Sequence, residues 1–218
     1  MKLLTLIFFP CLITLLCLLN SCDSHHLIED TNVRVGDIVC TDGSVVTVKE
    51  FIASDKEAIA VVFHTPMDED ELGYAVYLHD LPELQFSDTL GIRQDTSADL
   101  LGLDGNVNTF ALYSCGNASS PLAKEVFAMW KYGQSAYVPS PAQCRMLYEN
   151  KSTVNATLSL IGGEPLPDTA DDCWYWTSTE VEAQEEYKAW LYSIGSGAMQ
   201  ETPKTQAHKA RSVITLYN

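Results

Sequence analysis

Short apolar runs of strand length recur along the first half of the chain, each bounded by turn residues. Residues 35–40, 58–63 and 73–78 are rich in branched and aromatic side chains, which predicts three β-strands. An Asp-Gly pair at 42–43 favours a tight hairpin, so residues 45–48 are predicted to return as a further strand. This half of the chain therefore predicts β-structure that begins with a hairpin.

The apolar spacing becomes helical after residue 120. Ser120 and Ser140 are each followed by a proline, which places a capping serine before a proline at the first helical position. Gln143 completes a capping box with Ser140. The first helix is predicted to end at Gly133 and the second at residue 150 or 151.

An aromatic run, Trp174–Glu180, opens the C-terminal part and has the composition of a central strand. Residues 189–194 and 209–216 are predicted as two further strands. Along an extended strand Trp174 and Trp176 face one side and the residue between them faces the other. Trp176 is predicted to lie in the core, and Trp174 is the better candidate for contact with a ligand.

Two stretches, 81–110 and 151–173, are rich in glycine, aspartate and other turn residues and are predicted to be long loops. Long loops in compact domains are usually functional, so a ligand is expected to bind there. The second loop is acidic and leads directly into the aromatic strand. The candidate ligand-binding residues are Glu164, Asp168, Asp171, Asp172, Trp174 and Tyr175.

The first 21 residues have the pattern of a lipoprotein signal peptide. A lysine precedes an apolar run over 3–19, and Leu19–Cys22 resembles the lipobox of bacterial lipoproteins. Cys22 is thus the predicted site of lipid attachment and membrane anchoring, followed by a tether over 22–34 and a single domain over 35–218. An ordinary signal peptide or a single membrane helix is the alternative.

The formal net charge of −16 restricts the partners. Nucleic acids are bound by neutralising phosphates with lysine and arginine, so the acidic balance argues against nucleic acid as a partner. It argues equally against docking on an anionic membrane through basic side chains. Solubility, cation binding and neutral ligands all remain compatible with this charge.

Four cysteines lie in the predicted domain: Cys40, Cys115, Cys144 and Cys173. An even number in an exported protein permits disulfides, and three pairings are possible. Their spacing lacks the close pairs that are typical of zinc sites. Four buried thiols are the alternative, since free cysteine is among the most buried residue types.

The C-terminal half resembles the bacterial family named for the C-terminal domain of a collagen-like adhesin. The residues that carry the resemblance are Tyr137–Gln143, Leu147-Tyr148, Ile161–Gly163, Trp176–Glu180, Ala189-Trp190 and Ala210–Val213. The resemblance implies an α+β, C-type-lectin-like fold in which two helices pack on small antiparallel sheets with long loops. The N-terminal half is similar to members that are lipoproteins of gut-commensal Gram-negative bacteria, which implies a surface-exposed position on the outer membrane.

The chain departs from the family pattern in ways that bear on function. Gln143 stands where an acidic residue is usual. The Glu164-Pro165 pair matches only half of a calcium-dependent sugar motif, and no Trp-Asn-Asp triplet is present, so no cofactor is expected, although calcium remains an alternative. An oxidase of the related formylglycine-generating kind would need a cysteine pair, for which only Cys144 and Cys173 are available.

Three functional hypotheses follow. The leading one is a surface lipoprotein with a non-catalytic, lectin-like domain that binds a glycan or host polymer through the two long loops. The second is a protein-interaction or assembly subunit of a surface or fimbrial complex. The third, an enzyme, has no catalytic constellation to support it.

Overall fold

The computed structural model describes residues 32–66, 73–129, 136–169 and 173–216. The predicted signal peptide, Cys22, Asp171 and Asp172 lie outside these residues. The chain from Val33 onward forms one unit, which contains helices and two five-stranded sheets. The expected α+β class is therefore confirmed, although four helices are described rather than two.

The first sheet is antiparallel throughout and takes its strands mainly from the first half of the chain. Its order is β10-β4-β3-β1-β2, where β10 comes from the far C-terminal part. The strands are β1 (Ile38–Cys40), β2 (Val45–Val46), β3 (Ala58–His64), β4 (Gly73–Tyr77) and β10 (Val213–Leu216).

The second sheet has the order β5-β9-β6-β7-β8 and contains the predicted aromatic strand at its centre. Its pairs are antiparallel except β6 with β9, which are parallel. The strands are β5 (Leu81–Gln85), β6 (Trp174–Glu180), β7 (Lys188–Ser193), β8 (Met199–Pro203) and β9 (Ala207–Ala210).

Three of the four helices pack on the sheets, and the short first one buries none of its residues. The four are α1 (Val48–Ile52), α2 (Gly105–Ser114), α3 (Pro121–Ala128) and α4 (Pro141–Ile161). The capping serines at Ser120 and Ser140 are confirmed, since each side-chain hydroxyl accepts a bond from the third helical amide. The capping box between Ser140 and Gln143 is present as well.

Two core clusters lie on the two sides of β3, as the alternation of a buried strand requires. Val62 belongs to the first cluster, to which α2 and α3 contribute Leu112 and Leu122. Val61 belongs to the second, which includes Leu158 from α4. The predicted alternation of the aromatic strand is confirmed, because Trp176 lies in the first cluster and Tyr175 in the second.

Several predicted elements were wrong. Residues 45–48 do not form a full strand, because Thr47 and Glu50 close a capping box that begins α1. The segment 81–110 is not a continuous loop, since it contains β5 and most of α2. The helix α4 runs to Ile161 and ends at Gly162, which has a left-handed backbone.

The predicted last strand, 209–216, is divided between the two sheets. The chain leaves the second sheet after Ala210 and enters the first at Val213. Arg211 and Ser212 form the crossing, and both are almost completely buried. An alternating pattern that continues over 209–216 in the sequence therefore conceals a change of sheet.

Candidate functional site

Two of the predicted ligand residues surround a buried arginine at this crossing. Arg211 donates from Nε to the carbonyl of Tyr77 at 2.9 Å and from Nη1 to Asp80 Oδ1 at 2.7 Å. Its Nη2 donates to the carbonyls of Leu78 and Glu164 at 2.6 and 2.5 Å. The guanidinium thus joins strand β4, the loop after α4 and the C-terminal crossing.

Tyr175 and Glu164 complete this arginine cluster around Asp80. The hydroxyl of Tyr175 donates to Asp80 Oδ2 at 2.8 Å, and the Glu164 carboxylate accepts from the Asp80 backbone amide at 3.2 Å. Burial, reinforced by the neighbouring Asp80 carboxylate, raises the pKa of Tyr175. These contacts give both predicted ligand residues an internal partner.

The remaining described candidates, Asp168 and Trp174, do not join them. Asp168 forms an ion pair with Lys151 on α4. Trp174 is partly buried against the first core cluster and pairs with Ser193 of β7. The predicted site therefore does not assemble as one ligand-binding surface among the described residues.

A second buried cluster was not foreseen from the sequence. Glu180 and Lys204 have fully buried side chains and form an ion pair at 2.6 Å. The Glu180 carboxylate also accepts bonds from the backbone amides of Gln94 and Thr96 and from the Thr96 hydroxyl. Lys204 Nζ donates to the carbonyl of Ile92 as well. The pair therefore anchors residues 92–96, which lead toward α2, onto strand β6.

Helix α2 buries two polar residues and exposes two large apolar ones, although its Leu112 is buried in the first core cluster. The polar residues Asn108 and Thr109 are buried, each at 1% exposure. The apolar residues Val107 and Phe110 are 64% and 60% exposed. A helix on the surface of a globular protein ordinarily buries its apolar stripe and exposes its polar one.

The buried polar residues explain how α2 is held in this orientation. Asn108 Oδ1 accepts from the Ser97 amide at 2.8 Å, and its Nδ2 lies 3.4 Å from Thr179 Oγ1 on β6. The Thr109 hydroxyl accepts from the Val138 amide at 2.9 Å. Hydrogen bonds thus fix the helix in an orientation that leaves Val107 and Phe110 on the outside.

The start of α2 fits only glycine. A Cβ on Gly105 would lie 2.7 Å from the carbonyl oxygen of Val138 and 2.9 Å from the amide of Ser140. The helix therefore begins in close backbone contact with the segment that caps α4. This contact adds to the hydrogen bonds of Asn108 and Thr109 in fixing which face points outward.

The outward face continues into the preceding loop. Leu101 is 73% exposed, and Leu100 and Leu103 are partly exposed beside it in sequence. We call the set Leu100, Leu101, Leu103, Val107 and Phe110 the α2 surface. Between residues 100 and 123 Asp104 is the only charged residue, in a chain whose net charge is −16. An uncharged apolar patch of this kind is typical of an interaction site.

A polar cleft of about 450 Å³ lies at the C-terminal end of α2. Tyr113 lines it, and its ring stacks on Phe127 of α3, with ring centres 3.9 Å apart and planes at 8°. Asp88, Asn117 and Lys124 contribute the polar and charged part of the lining. Of its lining, Asp88 and Thr89 lie in the predicted loop 81–110, and Lys124 lies in the helix predicted after Ser120.

None of the possible disulfides joins the four cysteines, all of which lie in the described part of the chain. Each lies on a different part of the fold: Cys40 on β1, Cys115 after α2, Cys144 on α4 and Cys173 before β6. Burial raises the pKa of Cys144, which disfavours the thiolate that a nucleophilic cysteine needs. Cys115 differs from the other three in being partly exposed, at the edge of the cleft.

The described part of the chain has neither a metal-binding cluster nor a membrane-spanning helix. No group of histidine, cysteine or acidic residues that could hold a metal ion occurs there. The stretch 67–72, whose four carboxylates could bind a hard cation through oxygen, lies outside that part, so calcium remains the alternative to the expected absence of a cofactor. None of the described helices combines the length and apolar character needed to cross a membrane.

Comparisons with known proteins give one structural likeness. No protein-family model matches the sequence, and no curated protein matches it either. The crystal structure of a fimbrial protein from Bacteroides ovatus is similar to this chain, with a TM-score of 0.65 and 18% sequence identity. The likeness covers 85% of this chain but only 49% of the fimbrial protein, so the chain spans about half of that protein's length.

Proposed function

We propose that this chain is a non-catalytic assembly subunit of a surface or fimbrial complex, and that its α2 surface binds a neighbouring subunit. The exposed apolar residues of α2 carry the proposal. Exposing Val107 and Phe110 to water while burying Asn108 and Thr109 is unfavourable for an isolated molecule, because apolar burial is the main favourable term in folding. Contact with a partner removes the exposed apolar area from water.

The sheet edges favour a contact through side chains over the addition of a strand. Within the second sheet both edge strands contain proline, Pro82 in β5 and Pro203 in β8, which hinders pairing with another chain. In the first sheet the edge strand β2 has only two residues, so it offers little for another strand to pair with. At the opposite edge, Val213 of β10 already exchanges two backbone hydrogen bonds with Tyr137.

The partner that fits the α2 surface is a different protein rather than a second copy. Two copies would bring together molecules that each carry a formal charge of −16, and like charges oppose association. A partner with an apolar patch of its own and a neutral or basic rim would meet no such barrier. The fimbrial protein of similar fold, of which this chain covers 49%, supports a role in assembly.

The proposal includes attachment to the cell surface. Lipidation of Cys22 would hold the domain at the outer membrane through the tether 22–34, within reach of other surface proteins. The relationship to C-type-lectin-like domains belongs to this proposal as well. It rests on the sequence pattern around Trp176–Glu180, and the α+β architecture is compatible with it.

Site-specific photocrosslinking tests the α2 surface. A benzophenone amino acid is placed at Val107 in the full-length protein on the cell surface, and Ile52 is the matched control. Ile52 is an apolar residue with 68% exposure on α1, away from the α2 surface in sequence. We expect a defined crosslink to one surface protein from position 107 and none from position 52.

A complementary experiment measures assembly. Val107→Asp with Phe110→Asp should release the protein from its surface complex, because two carboxylates would have to be desolvated at the contact. The folded domain should remain stable, since both side chains are exposed. Equal crosslinking from position 52, or an intact complex with the double variant, would show that the α2 surface is not the assembly contact.

A further inference from the structure

We propose that the polar cleft beside Tyr113 is a binding site for a neutral saccharide. The cleft lies between the end of α2, the loop at Asp88 and the segment that leads into α3. Its volume of about 450 Å³ falls within the range of about 300–1,000 Å³ that is usual for small-molecule sites. The ligand differs in kind from the protein partner proposed for the α2 surface.

The aromatic part of the cleft is held in place before any ligand binds. Tyr113 is 48% exposed, and its ring is stacked nearly parallel on Phe127. A fixed ring loses little conformational freedom on binding, which favours affinity. The C–H face of a pyranose ring packs on such an aromatic surface.

The polar part of the cleft offers both donors and acceptors to hydroxyl groups. The backbone amide of Ser119 donates to Asp88 Oδ1 at 2.9 Å, which orients the carboxylate, and Oδ2 has no partner among the described residues. The exposed side-chain amide of Asn117 is likewise without a partner in the described part of the chain. A carboxylate oxygen and an amide can bind neighbouring hydroxyls of one sugar ring.

The charges of the cleft select a neutral ligand. Asp88 and Lys124 supply one negative and one positive group. The Lys124 ammonium donates to the Ser119 hydroxyl at 2.6 Å, so only part of its hydrogen-bonding capacity remains for a ligand in the cleft. An anionic glycan would be repelled, because the molecule carries a formal charge of −16. A neutral saccharide has the hydroxyl groups and the apolar ring face that the lining can bind.

Binding of a panel of neutral disaccharides, including maltose, cellobiose, mannobiose and chitobiose, to the full chain tests the proposal by calorimetry. We expect saturable binding of at least one of them. Tyr113→Ala should weaken it by about tenfold, equal to about 1.4 kcal/mol, and Asn117→Ala should weaken it as well. Tyr187→Ala is the control, since Tyr187 is 52% exposed and does not line the cleft.

Alkylation of Cys115 gives a second measurement that does not depend on a variant. This thiol lines the cleft and is partly exposed, whereas Cys40, Cys144 and Cys173 are buried. A bound saccharide should slow the reaction of Cys115 with iodoacetamide, as followed by peptide mass spectrometry. The same saccharide that gives calorimetric binding should give this protection.

The proposal is overturned if no disaccharide binds at concentrations up to about 10 mM. A dissociation constant of about 10 mM corresponds to a binding free energy of about −2.7 kcal/mol. It is also overturned if Tyr187→Ala weakens binding as much as Tyr113→Ala does. The double variant Val107→Asp with Phe110→Asp should bind the saccharide normally. Saccharide binding and subunit assembly can therefore fail independently of each other.

Discussion

At the level of single residues, the buried charges of Glu180 and Lys204 depend on each other. Lys204→Met would leave the Glu180 carboxylate fully buried without its cationic partner. We expect this substitution to lower the free energy of unfolding by about 3–5 kcal/mol, since an uncompensated buried charge is strongly destabilising. Urea denaturation followed by tryptophan fluorescence measures the change.

An exposed ion pair on the neighbouring strands provides the control for this prediction. Lys188 and Glu201 lie 3.0 Å apart with about a third of each side chain exposed. Lys188→Met should cost no more than about 1 kcal/mol, because exposed pairs contribute little. Adding Glu180→Gln to Lys204→Met should recover part of the stability. If both lysine substitutions cost the same, the buried pair is not the anchor described above.

His208 should make stability depend on pH. Its ring lies edge-on to Trp176 with ring centres 5.3 Å apart, and partial burial lowers its pKa below the ordinary value of about 6.5, although the nearby Glu83 acts in the opposite direction. As the pH falls through about 6.5, the unfolded chain takes up a proton at this position before the folded chain does. The folded state therefore loses stability toward acidic pH.

Thermal melts of the wild type and of His208→Leu between pH 7.5 and about 5 test this dependence. The melting temperature of the wild type should fall more steeply with decreasing pH than that of the variant. His79→Gln, at an exposed position, controls for the loss of one imidazole. Identical slopes for wild type and His208→Leu would contradict the assigned role of His208.

At the level of elements, local signals in the sequence predicted those parts of the fold that depend on near neighbours. The strand Trp174–Glu180 and the start of α4 at Ser140 follow from side-chain type and capping alone. The helix α2 could not be predicted in this way. Its apolar residues do not form a buried stripe, and Asp104 makes no side-chain capping bond. Contacts from Asn108 and Thr109 to distant residues determine where it lies.

The crossing between β9 and β10 yields a prediction about Arg211. Arg211→Lys keeps the positive charge, but lysine cannot reproduce a planar fork that reaches three carbonyl oxygens and the Asp80 carboxylate together. We expect a loss of about 3 kcal/mol in the free energy of unfolding, since buried acceptors would be left unsatisfied. Chemical denaturation measures this loss.

Arg145→Lys is the matched control for the arginine substitution. Arg145 lies on α4 with 57% of its side chain exposed and has only a long ion pair with Glu149. Its replacement should change stability by no more than about 0.5 kcal/mol. A comparable loss in both variants would mean that the Arg211 cluster does not hold the two sheets together.

At the level of the whole molecule, the residue types that suggested a site were misleading because their partners lie far away in sequence. Glu164 and Tyr175 both bind Asp80, more than 80 positions earlier. A single sequence does not show that such a carboxylate is already paired. A further signal was the absence of charge between residues 105 and 123, since a long uncharged stretch that exposes Val107 and Phe110 in an acidic chain marks a surface suited to contact.

The same charge distribution predicts how the isolated protein behaves in salt. Each molecule carries a formal charge of −16, so copies should repel one another at about 0.01 M salt, where the screening length is about 30 Å. At about 1 M salt the length falls to about 3 Å, and the α2 surface should then allow weak self-association. Sedimentation velocity should show monomers at low salt and a dimer fraction at high salt.

Phe110→Ser separates the two contributions to this behaviour. The substitution removes a 60% exposed aromatic side chain from the α2 surface and leaves the net charge unchanged. It should abolish the dimers at high salt and leave the low-salt monomer as it is. A stable dimer at low salt that is lost in Phe110→Ser would instead identify a second copy as the natural occupant of this surface. In that case the repulsion between two acidic copies would be too weak to favour a different protein over a second copy. The apolar contact of the α2 surface alone would then determine assembly.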